Sequence, residues 1–191
     1  MTKYPDTLIV KDALNIYFDE YHFKDGGYNL KWFKIKLGPI FIPLPNIKSR
    51  VNAVKIHDIH HLLTEYNADW KGEVEIGAWE IATGCGKYWA AWLLNLGSLF
   101  IGMFLFPRAL YKAFMRGRKC KSSLYYNSNY PELLSKTIGE LREKIEIDLP
   151  EKNSFADNLL FQTWCLIALC YHILVILILL LCINKFCKLF S

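Results

Sequence analysis

The sequence is poor in histidine and lacks closely spaced cysteines. Only five residues are His, and no two of the six Cys are separated by two residues. Without a Cys-x-x-Cys pair, neither a thiolate zinc site nor a disulfide framework is predicted, and a reducing compartment fits. Five histidines are also too few for the membrane hydroxylases and desaturases, so that class is excluded.

The chain also lacks a strong excess of charge. Its formal net charge is +5, which is too small to predict a polyanionic partner. Aromatic residues are not interleaved with the basic ones as they are in nucleic-acid-binding modules, so no nucleic acid is expected. A short basic run suits either anionic lipid headgroups or a solvated helix face; it consists of Arg108, Lys112, Arg116, Arg118, Lys119 and Lys121.

Charge is absent altogether from Asn158 to Asn184, which contains no Asp, Glu, Lys or Arg. Because about 20 apolar residues suffice to cross the hydrocarbon of a bilayer, residues 158–184 are predicted to form a transmembrane helix. His172 within it is expected to pair with a neighbouring hydroxyl or carbonyl. The N-terminus has no apolar core of the secretory type. We therefore expect a single-pass, tail-anchored membrane protein whose main domain lies in the cytoplasm.

A second stretch, Tyr88 to Pro107, is also free of formal charge, but Asn95, Ser98 and two glycines interrupt it. Three interpretations stay open for it: a buried helix, a face that dips into the bilayer, or a full crossing.

Residues 1–152 are expected to form one mainly α domain. Three prolines between residues 38 and 46 preclude a helix there, so an extended connection is predicted after a short strand over 33–37. Helices are predicted at about 49–66, 73–83, 88–118 with a break at Pro107, and 131–145.

The most informative pattern is a cluster of metal-ligating residue types. His57 and His61 are four residues apart, so on a helix they lie one turn apart on the same face, with Asp58 beside them. Apolar residues fill the opposite face, and a turn over 67–72 brings Glu73 in from the next helix. Two imidazoles and two carboxylates suit zinc, iron or manganese.

Two neighbouring residues complete this interpretation. Glu80 shares an arc of its helix with Glu73, Gly77 and Gly84; the small residues would let the His57 helix approach, and Glu80 would orient a liganding imidazole. His60 is expected to be solvated.

A remote alternative is an HD-type phosphohydrolase, in which His57 and Asp58 join His22 and either Asp148 or Asp157.

The order His-Asp, two residues, His, eleven residues, Glu resembles the signature of the Coq-four family of ubiquinone (coenzyme Q) biosynthesis. The similarity continues at Leu63-Thr64, Tyr66, Asp69 and Gly72, and further on at Arg116-Gly117-Arg118 and Leu141-Arg142. It covers roughly residues 30–150. The hydrophobic tail is not expected of a typical member.

The resemblance implies that His57, Asp58, His61 and Glu73 bind a divalent metal, with zinc ahead of iron or manganese. It further implies a prenylated aromatic quinone precursor as substrate, decarboxylated or oxidised at the ring carbon that bears the carboxyl group. The expected partners are the membrane, that precursor and other quinone-biosynthesis proteins. The alternative is a non-enzymatic, membrane-tethered organiser that binds such precursors and partner enzymes.

Overall fold

The computed structural model describes residues 3–24, 26–37, 40–126, 128–149 and 154–189. Within these ranges the chain forms eight helices and one antiparallel pair of strands, which confirms the predicted mainly α class. The elements are α1 Val10–Tyr21, β1 Trp32–Leu37, β2 Ile40–Pro45, α2 Lys48–Thr64, α3 Trp70–Thr83, α4 Trp89–Leu105, α5 Pro107–Gly117, α6 Tyr130–Leu133, α7 Ile138–Lys144 and α8 Phe155–Leu189.

The two strands form a hairpin, with Trp32 opposite Pro45 and Leu37 opposite Ile40. Residues 40–45 are extended, as predicted, but they pair with β1 as a second strand, which was not predicted. Residues 38 and 39 lie outside the described part. The prolines of β2 are compatible with pairing because a two-stranded sheet leaves one edge of each strand without a partner, where no N–H is needed.

The turn between α2 and α3 fixes the position of Glu73. The Asp69 side chain accepts a hydrogen bond of 2.7 Å from the Gly72 N–H and so caps the start of α3. A Cβ atom at Gly72 would collide with the backbone of Asn67, so only glycine fits. As a result α3 begins three residues earlier than predicted, and Glu73 lies in its first turn.

Two later boundaries test the helix predictions. The predicted break at Pro107 is confirmed, since α4 ends at Leu105 and α5 begins at Pro107. The single helix predicted over 131–145 is wrong, because α6 and α7 are separate. Thr137 and Glu140 form a capping box, in which each side chain bonds the backbone N–H of the other, and this starts α7 afresh.

The buried residues form two clusters. One lies between α1, α2, α3 and α7, and includes Ile59, Leu62 and Leu63 from the side of α2 that was predicted to face the core. The other lies between α3, α4, α5 and the first half of α8. The helix that carries the histidines is thus packed on its apolar side.

The C-terminal helix α8 is partly packed and partly exposed. Trp164 stacks on Trp92 and His172 stacks on Phe100, both on α4. His172 also donates a hydrogen bond of 2.8 Å to the Ala168 carbonyl, which confirms the expected pairing. Beyond that point the apolar side chains are mostly exposed. Among the described residues, Phe155–Lys185 is the one helix long and apolar enough to cross a membrane.

Candidate metal centre

Three predicted ligands converge on one point. The Nε2 atoms of His57 and His61 lie 3.1 Å apart, and each is 3.4 Å from a carboxylate oxygen of Glu73. One ligand atom from each residue lies within 4.8 Å of the others. His61 is buried, while the Glu73 side chain at 44% exposure lies at the rim. This group can hold a metal ion.

The other ring nitrogen of each histidine is occupied. Nδ1 of His57 lies 3.1 Å from the Glu80 carboxylate, and Nδ1 of His61 lies 2.9 Å from the Tyr66 carbonyl. Because both of these partners are acceptors, each Nδ1 carries a proton and donates it. Metal-ligating histidines in proteins are oriented by the same kind of bond. The Nε2 atoms are therefore left facing each other and Glu73, where they are the nitrogens available to a metal ion.

This arrangement fits a cation. With Nδ1 protonated, each imidazole coordinates an ion through Nε2, which gives up any proton it carries when the ion binds, and Glu73 adds a carboxylate. In a tetrahedron with bonds of about 2.1 Å, neighbouring ligand atoms are about 3.4 Å apart, close to the distances found here. Three protein ligands leave a fourth position for water or substrate.

The electrostatics of the group agree with its geometry. Burial would raise the pKa of Glu73, but the two imidazoles opposite it hold that pKa well below its usual range. Burial would likewise lower the pKa of His57, and the carboxylates of Glu80 and Glu73 outweigh it and raise that pKa. The carboxylates therefore remain charged and favour a positive charge between them.

Asp58, the fourth predicted ligand, lies beside the group on the cavity wall. Its carboxylate accepts a hydrogen bond of 2.5 Å from the Tyr28 hydroxyl, and it is not among the three residues whose donor atoms converge. Burial raises the pKa of Asp58 to about 6.

Glu80 is the centre of a buried network. Its carboxylate accepts hydrogen bonds from Nδ1 of His60 at 2.7 Å, from the Asn95 amide at 2.6 Å and from the Tyr125 hydroxyl at 3.1 Å, besides the one from His57. The carboxylate thus lies behind His57, as predicted, and three further residues hold it there.

The expectation that His60 is solvated is wrong. His60 is completely buried, and its Nε2 accepts a hydrogen bond of 3.0 Å from the Leu124 N–H. Since Nε2 accepts, Nδ1 carries the proton that is donated to Glu80. Burial lowers the pKa of His60, which keeps the ring neutral.

The predicted role of Gly77 is also wrong. A Cβ atom there would lie 2.6 Å from the Cβ of Ser98 on α4. The small residue therefore lets α4 approach α3, rather than α2. This close approach brings Asn95 against Glu80.

A cavity of about 500 Å³ opens above the group. Its wall comes from α1, the hairpin, α2, α3 and α4, and comprises Tyr17, Phe23, Gly26, Phe33, Arg50, Ala53, Val54, His57, Asp58, Ala68, Glu73, Glu80, Ala91, Leu94, Asn95, Ser98 and Tyr125. Three of these residues also line an adjoining apolar groove, together with Leu44, Pro45, Ile47, Trp89, Ala90 and Leu93. A ligand with a polar head and an apolar tail fits the two together.

The residues of the phosphohydrolase alternative are not brought together. His22 is exposed at the end of α1, Asp148 pairs with Arg116, and Asp157 pairs with Arg118. None of the three lines the cavity that contains His57.

Several site residues were not predicted from the sequence. Asn95 and Tyr125 fix Glu80, Tyr28 engages Asp58, and Arg50 lines the cavity. A signal existed for Asn95, which is a polar residue inside an otherwise apolar, charge-free helix. Tyr125 comes from a loop far along the chain, and no local pattern indicates where it lies.

Comparisons with protein-family models, with curated proteins and with solved structures gave no match to this chain.

Proposed function

We propose that this protein is a metal-dependent enzyme of ubiquinone biosynthesis that acts on a prenylated aromatic acid at the ring carbon bearing the carboxyl group. The observation that carries the proposal is the group formed by His57, His61 and Glu73, whose donor atoms converge at a cavity. The similarity to the Coq-four signature supplies the substrate class.

The apolar groove supports a substrate with a long hydrocarbon tail. Phe33, Arg50 and Leu94 line both the cavity and the groove, so the two lie side by side. Trp89 and Leu93 carry the apolar lining out to the surface, where both side chains are exposed. A ring held at the metal group would extend its prenyl chain along this groove.

The C-terminal helix supports a location at the membrane. Such a tail would partition into lipid, and α8 has the length and composition of an anchor. Helix α4 contacts α8 through Trp92 and Phe100 and also forms one wall of the groove. An anchored α8 therefore holds the groove beside the bilayer, with the main domain in the cytoplasm.

A bound divalent ion, with zinc ahead of iron or manganese, would polarise a substrate oxygen or activate water or dioxygen. His57, His61 and Glu73 would hold it. Glu80 and the Tyr66 carbonyl keep both imidazoles in the orientation and tautomer that ligation requires. The apolar groove excludes water from the bound tail.

The test uses the full chain purified in detergent and a prenylated hydroxybenzoate carrying an isotope label in its carboxyl carbon. Release of labelled CO₂ after loading with zinc, iron or manganese, and its loss in Glu73→Gln, is the expected result. Binding of the compound without turnover under any of these metals would instead support the organiser. If the protein neither binds the compound nor turns it over, the assigned substrate class is refuted.

A further inference from the structure

Arg50 occupies a position between the metal group and the apolar groove. It lies on α2 seven residues before His57, so the two side chains share a face about 10 Å apart along the helix axis. It lines both the cavity and the groove. A ligand that passes from one to the other must pass its guanidinium.

Only part of the Arg50 guanidinium is engaged by other protein groups. Nη1 donates a hydrogen bond of 2.8 Å to the Asn46 side chain, and the guanidinium carbon lies 3.6 Å from the centre of the Phe33 ring. Nε is buried without a hydrogen-bond partner, and Nη2 donates to no described residue. The edge formed by Nε and Nη2 is therefore unpaired among the described residues.

No described carboxylate forms a salt bridge with Arg50, although three carboxylates line the same cavity and the charge of Asp58 partly offsets the lowering of the Arg50 pKa by burial. Asp58 is engaged by Tyr28, Glu73 faces the two imidazoles, and Glu80 is held by its buried network. Burial lowers the pKa of Arg50, yet a guanidinium stays protonated at neutral pH. A half-buried cation that makes no salt bridge gains from an anionic ligand.

The free edge also indicates the kind of anion. Nε and Nη2 are parallel donors, and a carboxylate accepts from such a pair with both oxygens. The stacked Phe33 ring and the Asn46 bond restrict the guanidinium to one orientation, so little side-chain entropy is lost on binding.

We propose that Arg50 binds the carboxylate of the ligand through its Nε–Nη2 edge, with the aromatic ring between Arg50 and the His57–His61–Glu73 group and the apolar tail in the groove. The assignment rests on the proposed function and names the residue that distinguishes an acid from a neutral analogue.

The test compares two ligands in equilibrium binding to the full chain in detergent: a hydroxybenzoate with a short prenyl chain, and the same molecule with a carboxamide in place of the carboxylate. Wild type is expected to prefer the acid by about tenfold or more. Arg50→Gln removes this preference, because it lowers the affinity for the acid more than the affinity for the carboxamide. Arg50→Lys retains part of it, and Arg108→Gln, which changes an exposed arginine on α5, retains all of it.

Two results would overturn the role of Arg50 alone. If wild type binds both ligands equally, or if Arg50→Gln keeps the preference for the acid, another group recognises the carboxylate, and the tail-binding site stands. If wild type binds neither ligand, the proposed substrate class fails together with this assignment. Circular dichroism of each variant confirms that the fold is intact.

Discussion

At the scale of single residues, the site is defined by which ring nitrogen of each histidine is already engaged. His57 and His61 both bond an acceptor through Nδ1 and direct Nε2 at Glu73. His60 uses both nitrogens within the protein and is thereby excluded as a ligand. The helical spacing correctly placed His57 and His61 on one face of α2. It could not place His60, because the groups that bury this ring come from α3 and from the loop around Leu124.

Replacing Glu80 by Gln should weaken metal binding. The substitution keeps the size of the side chain but removes the charge that orients His57 and strengthens it as a ligand, so the affinity for zinc should fall by about 10–100-fold. Competition with a chromophoric chelator measures this change. Glu75→Gln is the matched control on the same helix, since Glu75 pairs with Lys71 at the surface. An unchanged affinity in Glu80→Gln would show that the network is structural only.

Replacing His60 by Ala should reduce stability while the three ligands remain. The change leaves the Leu124 N–H unsatisfied, removes a donor to Glu80 and opens a buried space, so unfolding should become easier by about 2–4 kcal/mol. Chemical denaturation of the full chain in detergent measures this free energy. His22→Asn, at an exposed position with positive φ that Asn tolerates, is the control. Equal stability of the two variants would contradict the buried role.

At the scale of elements, helix boundaries were easier to predict from the sequence than strand pairing. Pro107 is a local signal that stops one helix and starts the next. The partner of β1 was not predicted because Pro43 and Pro45 argue against a central strand. A strand at the edge of a hairpin tolerates them. The contact between Gly77 and Ser98 likewise depends on tertiary packing, which helical periodicity does not reveal.

Helix α4 should enter the bilayer beside α8. The Trp92–Trp164 and Phe100–His172 contacts advance by two turns along both helices, so the helices run parallel. The charge-free part of α8 beyond His172 is only about 18 Å long, against about 30 Å of hydrocarbon. A crossing must therefore include the segment that packs on α4, which places the exposed Phe104 at the depth of the lipid tails.

A photo-crosslinking amino acid placed at position 104 in protein reconstituted in vesicles tests this depth. It should capture acyl chains as efficiently as the same amino acid at Leu177 on α8. The same amino acid at the exposed Tyr126, which packs beside Gly84 at the C-terminal end of α3, should capture none. Capture at 177 without capture at 104 would refute insertion of α4. No capture at 177 would refute the anchor itself.

At the scale of the whole molecule, a candidate membrane anchor, an apolar groove and a candidate metal group lie next to one another in that order. The composition alone indicated the anchor, and the spacing of four residues indicated the group. The cavity could not be predicted, because its wall is assembled from α1, the hairpin and three further helices that are distant in sequence.

Removing the metal should lower the thermal stability of wild type. An ion bound only by the folded state adds about 2.7 kcal/mol when its free concentration is one hundred times its dissociation constant. A strong chelator should therefore lower the melting temperature of wild type measured by circular dichroism. It should leave Glu73→Gln unchanged, because that variant has lost a ligand. The same downward shift in both proteins would mean that the ion is bound elsewhere.

The most direct measurement is the metal content of the detergent-purified full chain by elemental analysis, for wild type beside Glu73→Gln and His61→Ala, with circular dichroism as the check on folding. We expect near-stoichiometric metal in wild type and its loss from both folded variants, since each removes one of three converging ligands. Metal that is absent from wild type, or equal in all three proteins, would mean that these residues do not form a metal site.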